Sequence, residues 1–261
     1  MIAEIHNKIS RSGSNLSDRL EDQLTGDFFG TIRYLPFEQG LRRVLAAVHF
    51  QDGSHPPASM WPQLLDSIRG YDCRMEFWFR HAEGEIDLIL NHPNVLIGIE
   101  VKYYSGISSD DDNSEDVSPE ESGHQLARYS RLLDDMRGGR LAYLIFLAPL
   151  QQLLPVEREM ARRPRMTSGI TLGFLAWQQV LEQLQSVDVT SLDQASQLIV
   201  NDLQALLLKK GFARFNGFTA AIQHLTIERH AYRFKAASTR NHTLNWSVNA
   251  SIGEEHYVYN P

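Results

Sequence analysis

The sequence predicts an α/β protein in which helices flank a mixed β-sheet. Residues 84–104 first alternate between polar and apolar side chains and then form an apolar run, a pattern typical of two strands joined by a turn. Residues 141–147 form another apolar run of strand length, and they follow a segment whose apolar residues recur at helical spacing. This mixture of strands and helices indicates an α/β fold.

The remaining elements are predicted from the same two periodicities. Helices are expected from Leu16, after Pro36, from Trp61, and over residues 123–133, 176–185 and 191–210, with a helix and a loop over residues 149–165. Strands are expected over residues 72–80, 85–90, 95–102, 141–147 and 170–174, the first three forming an antiparallel meander. Gly26 is expected to end the first helix and Gly211 the last. We expect a core over residues 1–175 and a largely helical extension over residues 176–261, packed on that core.

Composition excludes several classes of protein. Hydrophobic residues make up 43% of the chain and charged residues 22%, as in ordinary soluble globular proteins. No apolar run approaches the roughly 20 residues that span a bilayer, and residues 1–15 lack the apolar core of a signal peptide. The single cysteine, Cys73, excludes an internal disulfide and a CxxC zinc site. We therefore expect a cytoplasmic protein without a membrane partner.

The net charge of −7 comes from one segment of the chain. Residues 108–121 contain seven acidic and no basic residues, whereas the remainder holds 25 of each. Three consecutive aspartates suggest a metal site, but a run of like charges without apolar periodicity is more often a solvated loop. We therefore predict a flexible acidic insert over residues 107–122. We hypothesise that it gates the adjacent strand end or excludes non-cognate nucleic acid.

Two carboxylates and one amine are predicted to meet where the 84–104 hairpin ends. Glu100 and Lys102 project from the same face of their strand, because side chains alternate along a strand. A four-residue turn over residues 91–94 would place Asp87 opposite Gly98 and diagonal to Glu100. Like charges this close repel unless a cation lies between them. Mg2+ prefers such oxygen ligands, and a neighbouring lysine can orient or activate a water, so these groups suit phosphodiester hydrolysis.

This pattern resembles the core motif of the PD-(D/E)XK nuclease superfamily: Asp87, then twelve residues, then Glu100-Val101-Lys102 at the end of an apolar strand. Ile86 stands where that motif has a proline. The resemblance covers roughly residues 16–147 and implies a restriction-endonuclease-like core with the element order αβββαβ. It also implies that Asp87, Glu100 and the carbonyl of Val101 bind Mg2+, with Mn2+ able to substitute. Lys102 would then position and help to deprotonate the attacking water.

Two carboxylates outside the motif also bear on the predicted site. Glu21 lies beside the apolar stripe of the first predicted helix and resembles the glutamate that often completes the metal site of this superfamily through a water. The alternative is a solvated charge on the helix surface. Glu85 lies on the same predicted face as Asp87, and the sequence assigns it no role.

Gln125 and Tyr129 lie four residues apart on one face of the helix predicted after the motif. They resemble the QxxxY signature of the RecB-type branch of the superfamily, which implies that they hold the substrate backbone. Arg128 and Arg131 on the same helix are expected to meet phosphates. The alternative is that Tyr129 packs in the core and Gln125 is exposed.

Residues 209–240 hold seven basic and five aromatic residues against a single acidic one. Such a mixture suits phosphate neutralisation together with base stacking. Core aromatics with solvated basic neighbours would give the same pattern, so both interpretations stay open. A further basic cluster is expected among the arginines of residues 158–165. No phosphate-binding GxxxxGK[ST] loop is present, so ATP-driven translocation is not expected.

Taken with the resemblance, these features predict a Mg2+-dependent deoxyribonuclease, an endonuclease rather than an exonuclease, acting in defence against foreign DNA or in recombination and repair. One site per chain favours a homodimer for cutting both strands, and the prediction leaves room for an activating protein partner. Two alternatives are a non-catalytic nucleic-acid binder or sensor on the same fold, and a small-molecule or protein-interaction module with surface carboxylates.

Overall fold

The computed structural model describes residues 16–51, 58–104 and 122–214. Nearly all of the acidic insert predicted over residues 107–122, and the basic and aromatic region beyond residue 214, lie outside the described residues and stay predictions. Within the described ranges, no helix is long and apolar enough to cross a membrane.

The described residues form an α/β fold with a six-stranded mixed sheet. The helices are α1 (Leu16–Ile32), α2 (Leu41–Ala46), α3 (Trp61–Ser67), α4 (Gln125–Arg137), α5 (Leu150–Arg162), α6 (Trp177–Gln185) and α7 (Gln194–Lys209). The strands are β1 (His49–Phe50), β2 (Arg74–His81), β3 (Gly84–His92), β4 (Val95–Val101), β5 (Leu141–Ala148) and β6 (Ile170–Ala176). Their order across the sheet is β1-β6-β5-β4-β3-β2.

The sheet has an antiparallel half and a parallel half that meet at β4. The predicted meander of β2, β3 and β4 is confirmed, and both of its strand pairs are antiparallel. β4, β5 and β6 pair in parallel through connections that contain α4 and α5. The short β1 adds antiparallel to β6 and was not predicted, because two residues are too few to show a periodicity.

The predicted register of the β3–β4 hairpin is wrong by two residues. The turn contains only residues 93 and 94, so His92 pairs with Val95 and Ile89, rather than Asp87, lies opposite Gly98. Arg140 explains the difference, since its guanidinium donates to Asn91 Oδ1 at 2.7 Å and to the carbonyl of His92 at 3.0 Å. These contacts from a distant residue hold two turn-forming residues within the strand.

Contacts in the structure explain two of the differences between the predicted and the observed helix ends. Gly26 does not end α1, which continues to Ile32 because Phe28, Phe29 and Ile32 are all buried in the core. Helix α7 begins at Gln194, since the carboxylate of Asp193 accepts the backbone N–H groups of the next turn. In α1, the burial of these apolar side chains overrides the weak tendency of Gly26 to stop the helix.

Helices cover both faces of the sheet. On one face, the α1 layer contains α1, α2, α3, α6 and α7, and on the other, the α4 layer contains α4 and α5. Gly98 allows α4 to approach closely, because a Cβ atom there would lie 2.7 Å from Ile86 and 3.0 Å from Leu133. The end of β4 and the start of α4 are thereby held side by side.

Candidate metal and catalytic site

Strands β2 and β3 exchange the faces of their side chains at one position, and that position carries Asp87. Two pairs of cross-strand partners lie two residues apart yet pack in different layers: Phe77 with Leu88 in the α1 layer, and Phe79 with Ile86 in the α4 layer. Regular alternation would keep both pairs on one face. Trp78, which lies between the pairs on β2, has a φ of 47°, a conformation that bulky residues rarely adopt. Such backbone strain often accompanies functional sites.

The carboxylate of Asp87 joins the ends of β3 and β4. The last regular pair of these strands is Leu88 with Ile99. Beyond that pair, the backbone N–H of Val101 donates to Asp87 Oδ2 at 2.8 Å. The aspartate side chain therefore serves as the acceptor for a strand N–H, and this contact brings it beside Glu100.

Lys102 lies between two glutamates from different elements. Its Nζ is 2.7 Å from Glu100 Oε1 and 3.3 Å from Glu21 Oε1. Glu21 comes from α1 and is only 8% exposed, so it is not a solvated helix charge. Its second carboxylate oxygen accepts the backbone N–H of Tyr103 at 2.8 Å. Glu21 thus binds both the side chain of Lys102 and the backbone that follows it.

Burial and like charge raise the pKa of both strand carboxyls. For Asp87, burial is the main cause and repulsion by Glu100 adds to it, whereas Lys102 and the Val101 N–H act in the opposite direction. For Glu100, burial raises the pKa and Lys102 opposes that increase. Burial alone would lower the pKa of Lys102, but the carboxylates of Glu100, Glu21 and Asp87 raise it above its ordinary value. The lysine side chain is therefore a charged ammonium in this arrangement.

The residues present fit a divalent cation. Glu100 Oε2 is buried and receives no hydrogen bond, and it belongs to a carboxylate that repels Asp87. Two such groups are stable side by side only with a proton or a cation between them. Among the described residues, no three His, Cys, Asp or Glu side chains are grouped to hold a metal ion. A cation would therefore bind Asp87, Glu100, a backbone carbonyl and water, which is a ligand set that Mg2+ accepts.

Gln125 and Tyr129 support the carboxylate of Glu100 from α4. Gln125 Nε2 donates to Glu100 Oε1 at 2.7 Å and to the hydroxyl of Tyr129 at 3.0 Å. That hydroxyl donates in turn to the backbone carbonyl of Glu85 at 2.6 Å. The sequence alternative of an exposed Gln125 does not hold, since this residue is 8% exposed. Helix α4 begins at Gln125 because His124 Nδ1 accepts the N–H of Leu126.

Three further candidate residues do not extend the cluster of Asp87, Glu100 and Lys102. The side chain of Glu85 accepts a hydrogen bond from Arg80 at 2.8 Å. Arg131 donates to Glu83 at 2.7 Å and to the carbonyl of Ser122 at 3.1 Å. Arg128 is partly buried on α4, and its buried Nε–H donates to no acceptor among the described residues. These contacts give Glu85 a structural partner, which the sequence did not assign.

Sequence reasoning missed two residues that fix the backbone at the site. The indole N–H of Trp177 donates to the carbonyl of Lys102 at 3.0 Å. The N–H of Lys102 donates to the carbonyl of Leu147 at 2.7 Å. Both partners are distant in sequence, and an apolar residue at the end of a strand gives no pattern that would mark such a contact.

Comparison with known proteins gives no family for this chain. No protein-family model, curated protein or solved structure matches it. Membership of the PD-(D/E)XK superfamily therefore stays a prediction, supported by the motif residues and their geometry.

Proposed function

We propose that this protein is a metal-dependent nuclease of the PD-(D/E)XK type, with a restriction-endonuclease-like core, that hydrolyses phosphodiester bonds in DNA. The observation that supports this most directly is the buried Oε2 atom of Glu100, which accepts no N–H group and lies beside the carboxyl of Asp87. The ammonium of Lys102 is 2.7 Å from the other Glu100 oxygen. Three carboxylates, including Glu21, and one ammonium leave two net negative charges when all are ionised. That charge is matched by one divalent cation.

Asp87, Glu100 and the carbonyl of Val101 would hold the cation. When bound, Mg2+ supplies Lewis-acid chemistry, polarising a phosphoryl oxygen and making a nearby water more acidic. Asp87 can present Oδ1 to the site because its Oδ2 already accepts the N–H of Val101. Glu100 can likewise present Oε2, since its Oε1 is bound by Lys102 and Gln125.

Lys102 would act on the nucleophile and on the phosphate. Hydrolysis forms a bond from a water oxygen to phosphorus, with loss of a proton from that water, and breaks the bond from phosphorus to the leaving oxygen, which takes up a proton. A charged ammonium orients the water and stabilises negative charge that develops on the phosphoryl oxygens. Glu21 and Glu100 hold the ammonium within 3.3 Å of their carboxylates, which fixes its position before substrate binds.

Gln125 and Tyr129 would orient Glu100 while contacting the substrate backbone or a site water. Gln125 has a second polar atom available, because its Oε1 is buried and receives no hydrogen bond. Arg128 would meet a phosphate through the exposed part of its side chain, since the residue is only partly buried on α4. Cleavage of both strands as an endonuclease calls for two such sites, so we also propose a homodimer. Roles in defence or in recombination and repair are part of the same proposal.

One observation favours a second candidate, a non-catalytic nucleic-acid binder or sensor. Lys102 already has two carboxylate partners, so part of the buried charge is balanced without a cation. An ion-pair cluster that is stable without a cation can serve the structure alone, without a catalytic role. The two candidates differ in what the removal of Lys102 does to cleavage and to binding.

The deciding experiment compares cleavage of circular, linear and single-stranded DNA, and of RNA, in Mg2+, in Mn2+ and in EDTA. Wild type is compared with Lys102→Met, and with Asp202→Asn on the exposed side of α7 as a control. We expect metal-dependent cutting that Lys102→Met lowers by at least about a hundredfold, with DNA binding retained. Binding without cutting in every condition, unchanged in Lys102→Met, would support the sensor. If the protein neither cuts nucleic acid nor binds metal, both the nuclease proposal and its cation site are refuted.

A further inference from the structure

A concave site lies at the opposite end of α1 from Glu21. It is a cavity of about 650 Å3 between residues 32–41 and residues 69–75, within the range of roughly 300–1,000 Å3 typical of small-molecule sites. Ile32 lies eleven residues beyond Glu21 on α1, which corresponds to about 16 Å along the helix axis. The cavity is therefore separate from the carboxylate site.

The floor of this cavity is apolar and is held open by packed walls. Leu35 and Phe37 are buried beneath it. Gly70 packs so closely on Phe37 that a Cβ atom at position 70 would lie 2.8 Å from the Cβ of Phe37. Arg42 Nε donates to Asp66 at 2.9 Å and joins α3 to α2, whose first residue, Leu41, lines the cavity. The cavity is thus formed by elements that already contact one another.

Three arginines surround the opening. Arg69 has no hydrogen-bonding or ionic partner for its side chain in the part of the chain that the structure describes, and it lines the cavity together with Arg33 and Arg74. Arg74 reaches Glu76 only at 3.9 Å and its side chain is 79% exposed. Glu38 is the one acidic side chain among the described lining residues. The opening is therefore cationic, although the whole chain carries a net charge of −7.

An aromatic ring lies beside these cations. Tyr34 is 67% exposed and lines the cavity. The guanidinium of Arg33 lies over its ring, 5.4 Å from the ring centroid. A nucleobase can stack on an exposed aromatic side chain, and guanidinium groups bind phosphate through paired hydrogen bonds.

We propose that this cavity binds a nucleoside phosphate, with the base against Tyr34 and the apolar floor and the phosphates among Arg33, Arg69 and Arg74. The ligand is either a free nucleotide or the end of a nucleic-acid strand, since both present the same two groups. The binding does not depend on the proposed nuclease activity, because the cavity shares no side chain with the carboxylate site.

The first test is calorimetric titration of the full chain with ATP in EDTA, with adenosine and tripolyphosphate titrated separately. ATP is expected to bind more tightly than either part. Arg69→Ala and Arg33→Ala are each expected to weaken ATP binding by about tenfold or more. Arg158→Ala, which removes an exposed arginine on α5, should leave it unchanged. Equal binding of ATP to wild type and both cavity variants, or no binding at millimolar ATP, would overturn the proposal.

The second test uses Cys73, the only cysteine of the chain, which also lines the cavity. Burial raises the pKa of its thiol to about 11, so alkylation by a maleimide is slow enough to follow. ATP is expected to slow this alkylation in wild type but not in Arg69→Ala. Stronger protection by a short single-stranded oligonucleotide than by ATP would identify a strand end as the ligand. ATP binding that Asp87→Asn abolishes while Cys73 stays unprotected would place the nucleotide at the carboxylate site and refute the proposal.

Discussion

Lys102 Nζ lies 2.7 Å from Glu100 Oε1, and both side chains are at least nine-tenths buried. The two residues are neighbours on one strand end, yet the ammonium also reaches Glu21 on a separate helix at 3.3 Å. Each group would be costly to bury alone, because an unpaired buried charge loses its hydration without compensation. The site therefore depends on α1 and β4 being correctly packed against each other.

The pairing of Lys102 with Glu21 predicts strong thermodynamic coupling. Lys102→Met leaves the Glu21 carboxylate buried without its cation, so it should destabilise the protein more than Glu21→Gln does. In the double variant the second change costs less, since Glu21 then carries no charge that has lost its partner, while Glu100 lacks its ammonium in both Lys102→Met proteins. We expect a coupling free energy of about 1–3 kcal/mol, measured by urea unfolding of the four proteins in EDTA. Additive effects would show that the two side chains do not interact in solution.

The raised pKa of Asp87 predicts that replacing its carboxyl group has opposite effects on stability with and without a cation. Because burial and Glu100 raise the pKa of Asp87 in the folded state, the folded metal-free protein holds this proton more tightly than the unfolded chain. Its stability should therefore fall as the pH rises from about 4, the ordinary carboxyl value, through the raised folded-state pKa. Asp87→Asn removes this loss and should be more stable than wild type at neutral pH in EDTA.

Adding Mg2+ should reverse the order of the two proteins. A cation that binds only the folded state stabilises it by mass action, and Asp87→Asn lacks one of the proposed ligands. Thermal melts in EDTA and in Mg2+ measure both effects, with Asp202→Asn on the surface of α7 as the control. A wild type that is more stable than Asp87→Asn in EDTA at neutral pH would contradict the electrostatic account of the site.

Much of this site follows from local sequence patterns. The alternation over β3, the apolar run of β4 and the motif spacing were enough to place Asp87, Glu100 and Lys102 at one strand end. The register of the turn was not predictable, because Arg140 fixes it from the far end of α4. Neither was the change of face at Trp78, which depends on a backbone conformation that no residue pattern marks. Contacts between distant residues thus determined what local periodicity could not.

Tyr129 and Tyr143 offer a matched pair of buried hydroxyl groups. The hydroxyl of Tyr129 accepts from Gln125 and donates to the carbonyl of Glu85, whereas that of Tyr143 is buried without a partner. Tyr129→Phe should therefore cost about 1–3 kcal/mol and lower the proposed cleavage by loosening Gln125 and Glu100. Tyr143→Phe should be neutral or slightly stabilising. Urea unfolding compares the two, and equal losses would show that the Tyr129 hydrogen bonds contribute nothing specific.

The hydrogen bond from Val101 to Asp87 predicts a distinctive pattern of amide exchange. Where two strands pair regularly, backbone carbonyls protect the amides, but the Val101 N–H depends on a side-chain carboxylate 2.8 Å away. In Asp87→Ala this amide should exchange at least about tenfold faster by NMR, because its acceptor is gone. The amide of Ile97, which lies within the regular β3–β4 pairing, should keep its protection and serves as the internal control. Asp87→Asn should retain most of the protection at Val101, since the amide oxygen of asparagine can still accept. An unchanged rate in Asp87→Ala would mean that Asp87 does not join the two strand ends. The contact proposed to hold Asp87 beside Glu100 would then be absent in solution.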